Sequence, residues 1–378
     1  MNRELKQKKI LLLSNSFDYG GKEKIMIDLA ERFPLFRIQP IVIILSHLIG
    51  RISSFPEVLM FAPRFSGDWV PAIKILGIIK QNSVHSIICF DVFSYFNARL
   101  AVLFLWNKPQ IILSLHNSDF SERKKEMLHA WLWRFVGVKK NKIVAICNYQ
   151  ADYYSKIFYI NKSRFNIIYN GIDVDYYAGK SSKSRETICL QHQLPASKMY
   201  IIQIGGLRIE KKHEDSLSAL SILRETYGCN DAALLIIGGG TPDREKILRD
   251  YAHILCLDDF VYFLGMQADV RDFLAIASLF TLSSVAVETF SIAALEAMAY
   301  GLPCVITKVG GAAEMIVEGM NGFTVAPHNP AELAKGWYKV LQTRNSFSSE
   351  NISNYVREHF SIEKCAALYA ELIHNDKK

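Results

Sequence analysis

Glu288-Thr289-Phe290-Ser291-Ile292-Ala293-Ala294-Leu295-Glu296-Ala297-Met298-Ala299-Tyr300-Gly301-Leu302-Pro303 is the most specific stretch of the chain. Ser291 is suited to cap a helix that Gly301 and Pro303 bring to an end. Glu288 then lies on the loop before that helix, and Glu296 lies within it. Two carboxylates eight residues apart, one on a loop and one on a helix, can hold two different hydroxyl groups of one long ligand. An idle charge at Glu296, among Ala293, Ala294, Leu295, Ala297 and Met298, would be costly, which weighs against an ordinary surface role.

Outward from this stretch, strands alternate with helices twice over. Ile10–Ser14, Pro40–Leu45, Val84–Phe90, Gln110–Leu115, Lys142–Cys147 and Phe165–Tyr169 read as strands, and Glu23–Phe33 as a helix. A second series runs through Met199–Ile204, Ala232–Ile237, Phe260–Leu264, Leu279–Ser283, Cys304–Thr307 and Phe323–Val325. Their near-continuous apolar character suits parallel sheets covered on both faces. The alternation predicts two doubly wound α/β domains, each resembling the Rossmann arrangement and facing a common cleft. The Ser/Lys-rich stretch Gly179–Arg185 reads as the linker, so the expected domains are residues 1–180 and 181–350. The remainder, residues 351–378, is expected as one helical segment (Asn351–His374) that packs back on the first domain.

Ligands of open α/β sheets bind beyond the carboxyl ends of the strands, so the informative loops are those after strands. Gly20–Gly21, ahead of a helix, reads either as an ordinary turn or as a place where backbone N–H groups approach an anion. Gly205-Gly206-Leu207-Arg208-Ile209-Glu210-Lys211-Lys212-His213 follows a strand and opens the helix Asp215–Tyr227. Glycines followed by fixed cations suit a diphosphate, although a solvated charged loop has the same composition. Gly238-Gly239-Gly240-Thr241-Pro242 repeats the strand–glycine–helix pattern. The P-loop spelling and the dinucleotide fingerprint are both missing, so ATPase and dehydrogenase readings lose their main support.

Taken together, these motifs resemble the family 4 retaining glycosyltransferases, which have the GT-B fold. The shared elements are the E-x7-E helix with its A-M-A-x-G-x-P tail, Gly20-Gly21-Lys22-Glu23, and His116 after an inner strand. Asn170-Gly171-Ile172-Asp173, Gly205 to Lys211, and Gly310-Gly311-Ala312-Ala313-Glu314 complete the set, in the family's order. The resemblance implies transfer of a sugar from a nucleotide-diphosphate sugar, with uridine favoured over guanosine as the base. It implies that Gly20 and Gly21 approach the phosphates, that His116 contacts the donor sugar, and that Lys211 neutralises the diphosphate. It gives Glu296 the ribose hydroxyls, and gives the sugar to Glu288, Phe290, Ser291 and Ile292. Gly205, Arg208 and Gly239 complete the substrate-binding set, and catalysis falls to His116, Lys211 and Glu288. No metal or other cofactor is implied, the nucleotide sugar being a co-substrate. Asp173-Val174-Asp175 has the spelling of a metal-binding D-x-D but belongs to the N-G-I-D segment and reads as structural. Two departures bear on donor identity. Gly206 stands where the family often has arginine, with Arg208 two residues on, and Thr289 and Ser291 replace both glycines of the usual E-G-F-G.

Composition narrows the setting. Hydrophobic residues make up 50% of 378 and charged ones 21%, enough apolar material for two cores. The seven cysteines are scattered without a C-x-x-C pair, which fits a reducing cytoplasm better than a disulfide framework. No apolar run is long enough to span a bilayer, and the basic start Met1–Lys9 leads into a strand rather than a signal peptide. Residues 1–185 carry 27 Lys/Arg against 14 Asp/Glu, whereas the remainder is mildly acidic. A basic first half implies an anionic partner. The stretch Glu122–Lys142, with seven Lys/Arg beside Trp131, Trp133 and Phe135, suits an anionic membrane surface or else a solvated domain helix. The expected setting is a peripheral enzyme at the inner face of the cell membrane, acting on a lipid-linked or cell-envelope glycan such as lipopolysaccharide or capsule. Nucleic-acid recognition motifs are missing. A nucleotide-sugar epimerase of the same fold and a non-catalytic binding protein are the competing readings. The first lacks a further carboxylate set. Retention of both glutamates, His116 and Lys211 weighs against the second.

Overall fold

A computed structural model describes residues 7–15, 20–46, 58–63, 68–116, 142–179, 181, 183–286 and 288–375. The basic, aromatic stretch Glu122–Lys142 lies outside them except for Lys142. Two compact units are present, the first made of Met1–Gly171 with Ser361–Lys378 and the second of Ile172–Phe360. The division thus comes before the Ser/Lys-rich stretch expected to hold it.

Among its described residues the first unit is built on a seven-stranded parallel sheet of order β3-β2-β1-β4-β5-β6-β7. The strands are β1 (Lys8–Ser14), β2 (Ile38–Ile44), β3 (Val58–Met60), β4 (Ser86–Cys89), β5 (Gln110–Leu115), β6 (Lys142–Ala145) and β7 (Phe165–Ile167). Leu11, Leu13, Ile87, Cys89, Ile111 and Leu113 line one face of the sheet. Helices α2 (Val70–Asn82), α3 (Val92–Ala101) and α4 (Asn148–Phe158) cover that face, after α1 (Gly21–Arg32) has crossed from β1 to β2. Alternation along β1 sends Ile10 and Leu12 the other way, also fully buried.

The second unit carries a six-stranded parallel sheet of order β10-β9-β8-β11-β12-β13. Its strands are β8 (Met199–Ile204), β9 (Ala232–Ile237), β10 (Val261–Phe263), β11 (Ala277–Leu282), β12 (Cys304–Thr307) and β13 (Gly322–Val325). The helices, in order, are α5 (Val174–Ala178), α6 (Arg185–Gln191), α7 (His213–Glu225), α8 (Pro242–Ile254), α9 (Arg271–Ile276), α10 (Ile292–Tyr300), α11 (Ala312–Met315), α12 (Pro330–Gln342) and α13 (Ser349–Phe360). Trp337 of α12 is fully buried, and its indole donates to Thr281 Oγ1 of β11 at 2.9 Å. A large apolar ring is thereby buried with its single polar atom satisfied.

The expected single helix over Asn351–His374 is two helices, α13 and α14 (Ile362–His374). Ser361 breaks the run, because its hydroxyl accepts from the Lys364 N–H and caps α14. Helix α14 belongs to the first unit. There Tyr369 O–H meets Ser114 Oγ at 2.6 Å. Lys8 and Lys142 donate to the Ile373 and Leu372 carbonyls at 3.0 and 2.7 Å. Two ammonium groups thus satisfy carbonyls that the last turn of a helix leaves open.

Candidate functional site

Sheet order in the second unit reverses between β8 and β11, and the loops after these two strands carry the candidate side chains. After β8 the chain zips onto the loop after β9. Gly205 N–H donates to the Ile237 carbonyl and Leu207 N–H to the Gly239 carbonyl, both at 2.8 Å. Gly205 and Gly239 therefore shape one turn between them. Arg208 follows, largely exposed and paired with Glu210 at 3.1 Å. A 3-10 turn over Ile209–Lys211 then leads into α7.

Lys211 is buried, and its ammonium lies directly on the Glu288 carboxylate. Ser284 Oγ donates to the same carboxylate oxygen at 3.1 Å. Behind the lysine, Ser283 Oγ is within 2.9 and 2.8 Å of the Lys211 and Lys212 carbonyls and accepts from Gln203 and Ser216. The Val285 N–H donates to the Glu210 carbonyl at 2.9 Å. The β11 loop thus holds both the backbone and the charge of the β8 loop. Partners 77 residues apart in sequence meet because the two strands are neighbours in the sheet.

The loop carrying Glu288 is gripped from β12. Gly311 N–H donates to the Thr289 carbonyl at 2.7 Å. A Cβ on Gly310, whose φ is +58°, would come within 1.7 Å of the Glu288 carbonyl oxygen, so a side chain there is excluded by contact as well as by conformation. Phe290 is buried edge-on against Phe360, centroids 5.4 Å apart. Ser291 caps α10 through the Ala294 N–H, as expected, with Ile292 the first helical residue. Glu296, half-buried on α10, accepts from Tyr177 O–H of α5 at 2.8 Å. Sequence reasoning did not find Tyr177, Ser283 or Ser284. The two serines had a signal, as polar residues directly after an apolar strand; Tyr177 had none.

His213, the first residue of α7, is fully buried, and neither ring nitrogen has a hydrogen-bond partner among the described residues. Burial, with Arg244 nearby, lowers its pKa to about 4. Asp173 and Asp175 have structural partners. Asp173 caps α5 through the Tyr176 N–H at 3.0 Å, and Asp175 meets Arg357 at 2.7 Å.

In the first unit, Gly20 is the N-cap of α1 and Gly21 its first residue. Lys22 meets Asn15 Oδ1 at 3.0 Å, Glu23 at 3.3 Å and Asp91 at 3.7 Å. His116 follows β5, stacked on Phe90 with centroids 5.2 Å apart. Its Nε2 lies 3.0 Å from Ser114 Oγ, and its buried Nδ1 has no partner among the described residues. Burial, aided by the charge of Lys22, lowers its pKa to about 3, so the ring is neutral at physiological pH.

Comparison with known proteins agrees with the two-domain α/β fold. A family model described as Glycosyl transferases group 1 matches residues 184–359. One described as Glycosyltransferase Family 4 matches residues 19–176. The N-acetyl-alpha-D-glucosaminyl L-malate synthase of Bacillus anthracis is 28% identical over 288 residues, 74% of this chain and 72% of its own. A UDP-Gal:alpha-D-GlcNAc-diphosphoundecaprenol alpha-1,3-galactosyltransferase of Escherichia coli is 21% identical over 277 residues, 71% of this chain and 70% of its own. The crystal structure of Anabaena HepE in complex with UDP superposes with a TM-score of 0.83 at 21% identity, covering 97% of this chain and 99% of that one.

Proposed function

We propose, for a chain that belongs to the glycosyltransferases of group 1 and family 4 and carries their GT-B fold, that its carboxyl-terminal unit holds a nucleotide-diphosphate sugar and delivers the sugar with retention to a lipid-linked or cell-envelope glycan. The observation that carries this reading is the meeting of Lys211 and Glu288 at the point where the strand order reverses.

Transfer breaks the bond between the anomeric carbon and a diphosphate oxygen. Negative charge grows on the leaving oxygen while the sugar becomes oxocarbenium-like. Lys211 supplies a fixed positive charge to that oxygen, and the exposed Arg208 adds a second. Charge already in place needs no reorganisation during reaction, which makes this the largest expected catalytic contribution. When the diphosphate arrives, Lys211 is shared between it and Glu288, which turns its carboxylate to the sugar hydroxyls. Glu296, held in place by the Tyr177 hydroxyl, receives the ribose hydroxyls. The acceptor hydroxyl attacks from the leaving-group side and gives its proton to the departing diphosphate.

Uridine diphosphate is the proposed carrier, since the structural neighbour HepE is seen with UDP. A membrane-borne acceptor fits the basic first half of the chain, and the Escherichia coli relative is named for a diphosphoundecaprenol acceptor. A cytoplasmic enzyme at the inner membrane face follows from that acceptor. No helix among the described residues is long and apolar enough to cross a membrane.

A thermal-shift screen against nucleotide sugars, paired with turnover of the ligand that shifts, tests the reading. Ligand at a hundred times its Kd adds about 2.7 kcal/mol to apparent stability. A shift with UDP-sugars, lost in Lys211→Ala, is expected. Shifts with no nucleotide sugar, or near-normal turnover in both Lys211→Ala and Glu296→Ala, would overturn it.

A further inference from the structure

Helix α3 has the sequence VFSYFNARLA. Its inner side packs Tyr95, Ala98 and Ala101 into the core of the first unit. A helix in that position normally presents polar residues outward. Here the outer side carries Phe93, Phe96 and Leu100, exposed to 40%, 40% and 39%. Spacings of three and four residues put them on one stripe. The stripe continues past the helix end into Leu103, Phe104 and Trp106, exposed to 51%, 88% and 101%.

This extension is ordered. Val102 N–H donates to the Ala98 carbonyl and Leu103 N–H to the Leu100 carbonyl, at 3.1 and 3.2 Å. The Lys108 ammonium donates to the Leu103 carbonyl at 3.0 Å, closing the turn from outside. Phe104 and Trp106 are thus held out in water by a hydrogen-bonded backbone, at a hydrophobic cost that no contact among the described residues offsets.

Charge names the occupant. Along α3 with its cap and the turn that follows, residues 91–108, Arg99 and Lys108 are the cations and Asp91 is the single acid. That carboxylate is committed to the amino end of α3, accepting from Ser94 N–H at 2.7 Å and Asn15 N–H at 2.8 Å. Aromatic and aliphatic side chains flanked by cations are the composition of a helix lying in a bilayer interface, with tryptophan at headgroup depth.

We propose that the outer face of α3 and the turn through Trp106 is a bilayer-contact surface for anionic phospholipid. This rests on the membrane-borne acceptor proposed above, and it places the contact on residues distinct from Glu122–Lys142. Apolar side chains enter the headgroup boundary, while Arg99 and Lys108 remain at phosphate level, where an anionic surface attracts them.

Flotation with phosphatidylglycerol/phosphatidylcholine vesicles, against phosphatidylcholine alone, tests it on the full chain. Wild type is expected to float with the anionic vesicles. A Phe96→Ser/Phe104→Ser/Trp106→Ser variant should partition at least about tenfold less, because three buried apolar side chains are lost. Its UDP-induced thermal shift should be unchanged, which also shows that it folds. The single Phe104→Ser variant, at a side chain with few contacts to lose, should show a smaller loss in the same direction. If wild type floats with neither vesicle, the membrane-borne acceptor itself fails. If wild type floats and both variants float equally well, the α3 surface is wrong and the acceptor reading stands. A dimer in sedimentation velocity that the same substitutions disperse would assign the face to a second copy and overturn the proposal.

Discussion

Lys211 and Glu288 are each other's main electrostatic partner, with side chains only 11% and 14% exposed. Removing one leaves the other poorly hydrated and unpaired. Lys211→Ala should therefore lower stability by about 2 kcal/mol, as lost charged hydrogen bonds do, besides abolishing most turnover. Lys211→Met combined with Glu288→Gln should recover much of that stability without activity. Chemical denaturation beside turnover separates the two effects. Tyr177→Phe removes one bond to Glu296 and should raise KM for the donor several-fold with kcat nearly intact. A fall in kcat alone would contradict the ribose assignment.

The two buried histidines add a pH dependence. His213 stays neutral down to about pH 4 and His116 down to about pH 3, whereas an unfolded histidine gains a proton near pH 6.5. The unfolded state then holds more protons between these values, so stability is complete above pH 6.5 and falls as the pH drops below it. His213→Leu should flatten this decline by one proton, about 1.4 kcal/mol per pH unit, between pH 6.5 and about 4. Melting curves at stepped pH measure it; an unchanged slope would mean that His213 titrates alike in both states.

At the scale of elements, apolar runs located the strands because parallel strands buried on both faces leave little choice of residue. Gln110–Leu115, Met199–Ile204, Ala232–Ile237 and Cys304–Thr307 have the expected bounds. Val58–Met60 escaped notice, since a three-residue edge strand has no period to read. The break at Ser361 was hidden because helical periodicity runs through both α13 and α14, and only the serine's own hydrogen bond interrupts it. Ser291→Ala should cost about 1 kcal/mol through the lost cap of α10, measurable by denaturant titration. Gly310→Ala should cost more and also weaken donor binding, because its Cβ would displace the Glu288 backbone.

For the whole molecule, two doubly wound α/β domains were legible in the alternation of apolar runs and glycine loops, whereas the order of the strands in each sheet was not. Long-range pairings were not: Tyr177 meets Glu296 across 119 residues, and no local pattern announces it. The charge asymmetry was legible as a number, but α3 shows where in the first unit an apolar surface accompanies it.

Isothermal titration of UDP into the wild-type chain, Lys211→Ala and Glu296→Ala addresses the heart of the account, the grip of the second unit on a nucleotide diphosphate. At least about a tenfold weaker Kd is expected for each variant, in proportion to one lost charged contact. Equal affinity for all three proteins, each still folded, would contradict it.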